Sequence, residues 1–329
     1  MTIKHYPWLE NTLKKYEQRN FASSIIIEGE GGLAKSELTT HFAKRLLCSQ
    51  IDAPCDNCNS CNYYEASSHP DFCFLSSDSC SSSLYSISKA KKDSIVSKKI
   101  EGVRSLNEYI GMSNSVSQRR VAVIYDAHQM NVNAQNALLK TLEELPANKH
   151  IFIVSNKRNY FLPTIYSRSS IISINNPNAD TLNQWIIDQG YIDYSVLNFA
   201  PDSTPLEIKR LINDDLANQY LEITQTLNSF CLGKVSNSDL IKFFKDISIN
   251  YEEKINAIIL FLKICLGIST DFYKPHPVIT VYAEKKVESR IVSDLIEELL
   301  DYKMQLIKVP ALNEQIGLNH FLFKIKNIF

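Results

Sequence analysis

Four cysteines fall within fourteen residues, in the pattern Cys48-x6-Cys55-x2-Cys58-x2-Cys61. Thiolates are soft donors, and four of them are the number a closed tetrahedral zinc site requires. The two-residue gaps let a tight turn aim successive sulfurs at one ion, and Asp56, Asn57, Asn59 and Ser60 suit such turns. Four protein ligands leave no position for a substrate, so the predicted role is structural, with binding on the order of 10 kcal/mol stapling the loop. An iron–sulfur cluster competes for the same thiols, although the Cys-Pro usual three residues further on is missing. Free thiols are the plainest reading. Cys73, Cys80, Cys231 and Cys265 are scattered without metal spacing and read as buried or idle thiols.

A second constellation is Gly29-Glu30-Gly31-Gly32-Leu33-Ala34-Lys35-Ser36. It follows a β-branched run and opens a helical pattern, the setting of a phosphate-binding loop. In such a loop the backbone N–H groups face a phosphate, the lysine neutralises it, and the next hydroxyl holds Mg²⁺. Gly29, Gly32, Lys35 and Ser36 fit the pattern; Ala34 stands where its second glycine belongs. A Cβ there restricts φ and crowds the approach of a phosphate. Hydrolysis would also need a pair of acids after a buried strand, one for the Mg²⁺ shell and one for the attacking water. The candidate strand ends Tyr125-Asp126-Ala127-His128, with Asp126 alone. If Asp126 serves the metal, Ala127 occupies the base position; if it serves as base, Tyr125 occupies the metal position. The expectation is a structural remnant of a nucleotide site.

The elements that must carry these residues follow from periodicity. Strands are predicted at Ser23–Glu28, Asp71–Leu75, Val121–Tyr125, Ile151–Val154 and Ile171–Ile174. Helices are predicted between them, at Lys35–Leu47, Ile100–Ile110 and from an Asn131 cap through Leu145 to Pro146. About five strands alternating with helices predict a parallel α/β sheet. The Ser-rich stretch 76–98 reads as a flexible loop or insertion. Beyond about residue 177 strands give way to short helices at Thr181–Gln189 and Pro205–Asn213. Long amphipathic stripes follow: Leu216 to Phe230, Ile255 to Leu266, and Val287, Ile291, Leu295, Leu299, Tyr302 and Leu306. Three domains are predicted, at 1–176, 177–214 and 215–329.

With 329 residues, two or three domains are the natural prior. A net charge of −1 excludes a protein that grips nucleic acid by bulk charge. No apolar run approaches the ~18–20 residues of a membrane span, and residues 1–8 hold no apolar signal core, so a cytoplasmic protein is expected.

Several stretches together resemble the delta prime family of bacterial DNA polymerase III clamp-loader subunits, which are AAA+ proteins. They are Tyr6-Pro7-Trp8-Leu9, the altered glycine loop, the four cysteines, His69-Pro70-Asp71 and Asp126-Ala127-His128. The most specific is Asn136-Ala137-Leu138-Leu139-Lys140-Thr141-Leu142-Glu143-Glu144. Ser167-Arg168-Ser169 sits where the family has Ser-Arg-Cys, and Leu312-Asn313-Glu314-Gln315 resembles its Asn-Arg-Glu stretch. The resemblance implies a RecA-like AAA+ P-loop α/β domain with a zinc-binding module, a small helical lid domain and an all-α collar domain for oligomerisation.

It further implies a subunit of a ring, with gamma/tau and delta partners, that uses ATP to open a sliding clamp and close it on primed DNA. No membrane is involved. The family member is an accessory subunit of a nucleotidyltransferase holoenzyme without catalysis of its own, carrying structural zinc but neither ATP nor Mg²⁺. Arg168 is implied to act as an arginine finger on a neighbour's ATP, where the bland alternative is an internal salt bridge. Two departures stand out: the first two cysteines are separated by six residues rather than about eight, and Ser169 replaces a cysteine. Competing readings are an ATP-hydrolysing motor subunit, a P-loop kinase, and a zinc-dependent nucleic-acid binder. The second acid and loop glycine are missing for the first, and an acceptor site for the second. The third lacks basic and aromatic residues beside the cysteines.

Overall fold

The computed structural model describes residues 3–17, 21–77, 84–86, 102–200, 202–266, 287–308 and 314–329. The chain divides into two compact units, Met1–Asn176 and Pro177–Phe329.

The first unit is built on a six-stranded sheet: β1 (Ser24–Glu28), β2 (Phe72–Ser77), β3 (Leu84–Ser86), β4 (Arg120–Ile124), β5 (Lys149–Ser155) and β6 (Ser170–Ser173). Its order is β3-β2-β4-β5-β1-β6. Five strands run parallel, as expected, while β3 pairs antiparallel with β2. That edge strand corrects the reading of 76–98 as loop throughout: residues 76–77 close β2 and 84–86 form β3. Three residues among serines are too short to show alternation. The remainder of that stretch and Cys80 lie outside the described residues. Every residue of β1, β4 and β5 is buried, as central parallel strands covered on both faces must be.

The helices of this unit are α1 (Glu10–Glu17), α2 (Lys35–Leu47), α3 (Asn59–Glu65), α4 (Gly102–Gly111), α5 (Val132–Glu143) and α6 (Pro163–Tyr166). Asn131 caps α5, its side chain accepting from Ala134 N at 2.9 Å. The helix stops at Glu143, short of the expected Leu145. One sheet face packs Ile26, Leu75, Ile124 and Ile153 against Leu138 of α5 and Ile165 of α6.

The second unit is helical: α7 (Ala179–Asp188), α8 (Pro205–Asn213), α9 (Leu216–Cys231), α10 (Asn237–Asp246), α11 (Tyr251–Leu266), α12 (Ser289–Lys308) and α13 (Glu314–Ile328). Ile223, Leu227, Ile258, Phe261, Leu262, Leu299 and Ile325 are all buried. Glu253 on α11 accepts from Arg210 of α8 at 3.0 Å, from Asn256 at 3.0 Å, and from the Tyr220 hydroxyl of α9. In α12 the buried face runs through Val292, Leu295, Ile296 and Leu299, and Ile291 is exposed, contrary to the predicted stripe. Steps of four overshoot a 3.6-residue turn by about 40° each, so a stripe written in fours drifts off the core.

Candidate functional site

The glycine loop leaves the carboxyl end of β1 and runs into α2, where Ala34 is the N-cap residue. Gly29 has φ 154°, and a Cβ on it would meet the Ile174 carbonyl oxygen at 2.4 Å, so only glycine fits. Gly32 has φ 79°. Ala34 also adopts a left-handed backbone, φ 59° and ψ 32°, which explains why a loop of this kind favours glycine there. Leu33 is fully buried beneath the loop, and its carbonyl accepts from Trp8 Nε1 at 3.1 Å, tying the Tyr6–Leu9 stretch to the site.

Lys35 is buried, and its ammonium donates to the Glu30 carbonyl within the loop. Burial brings its pKa down to about 8, against partial compensation from Asp126 and Glu30. Ser36 is exposed on the first turn of α2.

The sheet topology brings other chain segments to the same edge. Asp126 follows β4 with φ 48°, and Asn156 follows β5, the strand lying between β4 and β1. Asn156 Nδ2 is 3.5 Å from Asp126 Oδ1, the outer limit of a hydrogen bond, and Asn156 N donates to His128 Nδ1 at 3.3 Å. Burial lowers the His128 pKa, with Asp126 opposing it. Arg158 Nη2 donates to the Ile174 carbonyl at 2.8 Å and to Asn175 Oδ1 at 2.6 Å. Asn156 and Arg158 were missed from sequence; their only signal was a place just past a buried strand. Ala127, beside Asp126, is fully buried. Of the groups singled out for a nucleotide site, the edge brings together the Lys35 ammonium, the Ser36 hydroxyl and the Asp126 carboxylate, and Tyr125 and Ala127 leave no second acid in either register.

The cysteines gather at the other end of α2. Cys48 is its C-cap residue, and Cys58 caps α3 with its sulfur accepting from Cys61 N. Asn59 and Ser60, read from sequence as turn residues, instead open that helix. All four Sγ atoms lie within 4.8 Å of one another. Cys48–Cys55, Cys48–Cys58 and Cys55–Cys61 separate by 3.5, 3.9 and 4.0 Å. A tetrahedron with Zn–S bonds near 2.3 Å has edges of about 3.8 Å, so the spacing fits one metal ion. Backbone N–H groups of Gln50, Cys58 and Cys61 donate to Cys48, Cys55 and Cys58, each at 3.4 Å. Such donors favour thiolate. Burial pushes the Cys61 thiol up to about 12, while at Cys58 the N–H groups of Ser49 and Cys61 outweigh burial and bring it down to about 5. Four thiols this close cannot all ionise without a cation among them. The cluster could hold a metal ion.

Two supports hold this end in place. Lys44 of α2 pairs with Asp56 at 2.7 Å and Glu65 at 2.6 Å. Beneath it, the Leu47 carbonyl accepts from both Ser60 Oγ and Ser117 Oγ at 2.7 Å. His69 Nδ1 accepts from Asp71 N, so its proton sits on Nε2, 2.7 Å from Ser60 Oγ. Asp71 accepts from the backbone N–H groups of Ser115, Val116 and Ser117 at 2.7–2.8 Å and from Arg120 at 2.9 Å. The His69-Pro70-Asp71 motif therefore works as scaffold.

Arg168 lies just beyond α6. Its Nη1 donates to the Thr164 carbonyl at 3.1 Å and to Ser167 Oγ at 3.3 Å, and Nη2 pairs with Glu143 at 2.7 Å. The side chain is 35% exposed. Ser169 Oγ is 2.7 Å from Ser24 Oγ on β1, and Tyr166 donates to Glu28 at 3.0 Å. The arginine segment is thereby bonded to the strand that bears the glycine loop.

Among the described residues no helix is long and apolar enough to cross a membrane. Residues 6–178 match the model of a family described as "DNA polymerase III, delta subunit". A DNA polymerase III subunit delta' from Pseudomonas aeruginosa is 24% identical over 249 residues, covering 74% of this chain and 72% of that protein. One from Buchnera aphidicola subsp. Schizaphis graminum is 23% identical over 335 residues, covering 95% and 94%. DNA polymerase III subunit tau of Bacillus subtilis is 27% identical over 154 residues, 46% of this chain and 24% of that protein.

Proposed function

This chain belongs to the DNA polymerase III delta subunit family, and from that premise we propose that it is the ATP-inactive stator of a clamp loader. In this reading it joins gamma/tau and delta subunits in a ring that places a sliding clamp on primed DNA, and it catalyses nothing alone. The observation that carries the reading is the incomplete site at the sheet edge: Ala34 in a glycine conformation, Lys35 engaged with its own loop, and Asp126 without a second acid. Residues 1–176 would form the AAA+ P-loop domain, 177–214 the lid and 215–329 the collar.

Gly29, Gly32, Lys35, Ser36 and Asp126 are then a retained shell rather than a working ATP site. Cys48, Cys55, Cys58 and Cys61 would hold one structural zinc ion, which supplies charge to neutralise the thiolates and ties the 48–61 loop to α2. Arg168 would reach the γ-phosphate of ATP bound by a neighbouring subunit, where a guanidinium offsets the charge of the departing phosphoryl group. Its surface position is compatible with that role.

An alternative is an ATP-hydrolysing motor subunit of the same complex. The similarity to tau and the retained Lys35 and Ser36 favour it; the missing acid opposes it. Titration of the purified chain with ATP and Mg²⁺ separates the two. The stator reading expects no turnover; turnover abolished by Lys35→Ala would replace it with the motor reading. Arg168→Ala should leave assembly intact and lower the DNA-stimulated ATPase of the reconstituted complex by roughly tenfold or more at the pocket it serves.

A further inference from the structure

Arg168 makes the internal salt bridge that stood as the alternative to a finger role, pairing with Glu143. Glu143 is the last residue of α5, and Arg168 follows α6, so two side chains 25 positions apart in the chain meet at 2.7 Å. The pair joins Arg168 Nη2 to Glu143 Oε1, and the Glu143 side chain is 51% exposed. On its other side the guanidinium is held through Nη1 by the Thr164 carbonyl and Ser167 Oγ. Three acceptors from two elements thus engage the two Nη atoms, while Nε has no contact among them. A long arginine side chain loses much rotamer freedom when it is fixed in one direction. An arginine that is already oriented has less left to lose when a phosphate arrives. An exposed ion pair is weakly held in water, so one N–H can be exchanged for a phosphate oxygen without a large barrier.

We infer that Glu143 is a positioning residue for Arg168, orienting the guanidinium in advance toward the nucleotide of the neighbouring subunit. The inference rests on the trans role proposed for Arg168. Glu143 touches no substrate and acts only through the arginine. Removing it therefore lowers the turnover of ATP in the assembled complex and leaves KM nearly unchanged, because the nucleotide is bound by another chain.

The test uses the reconstituted clamp loader with Glu143→Ala, Glu143→Gln, Arg168→Ala and the double variant Glu143→Ala/Arg168→Ala. The expected losses in DNA-stimulated kcat are about three- to tenfold for Glu143→Ala and less for Glu143→Gln, which keeps the length and an acceptor oxygen. In the Arg168→Ala background, Glu143→Ala should have no further effect. Equal losses with and without Arg168 would show that Glu143 supports the fold instead, and would overturn the inference. So would a silent Glu143→Ala beside a damaging Arg168→Ala. A silent Arg168→Ala would reject the trans role itself, an outcome distinct from the other two. Thermal unfolding and co-elution of each variant with its partners identify any that fails to fold. In that event Glu143→Gln alone, in both backgrounds, decides the question by the same criterion.

Discussion

The two ends of α2 differ in how completely they are equipped. At its start, the loop from Gly29 to Ser36 has the course of a phosphate cradle, yet its lysine binds a loop carbonyl and an alanine sits in a left-handed conformation. At its finish, four sulfurs stand at the separations one ion demands, with N–H donors behind three of them. A phosphate loop is a scaffold as well as a ligand site, and the scaffold survives when single ligating residues change. A metal cage is different: each missing thiolate removes a quarter of the coordination. The lesson is that retained shape at one end says less about chemistry than a complete donor set at the other.

The largest expected effect breaks the cysteine end. Reduced protein should contain one zinc per chain by elemental analysis, and Cys61→Ser or chelation should lower the melting temperature sharply, the ion's binding being on the order of 10 kcal/mol. Absence of zinc would remove the contrast between the two ends. Next comes Asp71→Ala, which strands Arg120 in the interior and should cost about 3–5 kcal/mol in chemical denaturation. Burial raises the Asp71 carboxyl, but the N–H groups of Ser117, Val116 and Ser115, with Arg120, outweigh it and hold the pKa below the ordinary value. The unfolded chain then binds more protons near pH 4. The stabilisation is complete above the ordinary aspartate pKa and disappears as pH falls through the lowered one, and Asp71→Asn should flatten that part of the acid profile.

At the glycine end the slope has the same sign but lies at alkaline pH and has a different cause, the cost of burying a charged ammonium. Burial brings Lys35 from 10.5 to about 8, so between those values the unfolded chain again binds more protons and stability rises with pH. Lys35→Met should abolish that slope, on the order of 1–3 kcal/mol across the window. The smallest effect belongs to Ala34→Gly, which relieves the positive φ and should stabilise by at most about 1 kcal/mol. It should not create ATP turnover, since Asp126 still stands alone. Turnover in that variant would sharpen the comparison by showing that only a Cβ silences the loop.

Much of this was legible along the chain. The strand–glycine–helix order placed α2 at Lys35–Leu47, and the second short helix was read at Pro205–Asn213, the bounds α8 has. Those boundaries depend on neighbours within a turn. The parallel strands were legible because unbroken apolar runs must be covered on both faces. The short antiparallel β3 was not, since its pairing with β2 and not its own composition makes it a strand. Nor was the buried face of α12, where the stripe drawn through Ile291 drifted from the side that packs. Asp71 and Arg120, 49 residues apart, carry no local sign of their pairing.

The amino-acid order by itself determined which chemistries were open: four thiolates in one short stretch, one acid where two are needed, one arginine after a serine. Tertiary structure decided what those groups face. Folding turned Lys35 onto Glu30, set Ser169 against Ser24, and brought Glu143 to Arg168. Propensity and periodicity act over a few residues, whereas long-range partners meet only where sheet register and helix packing place their backbones within side-chain reach.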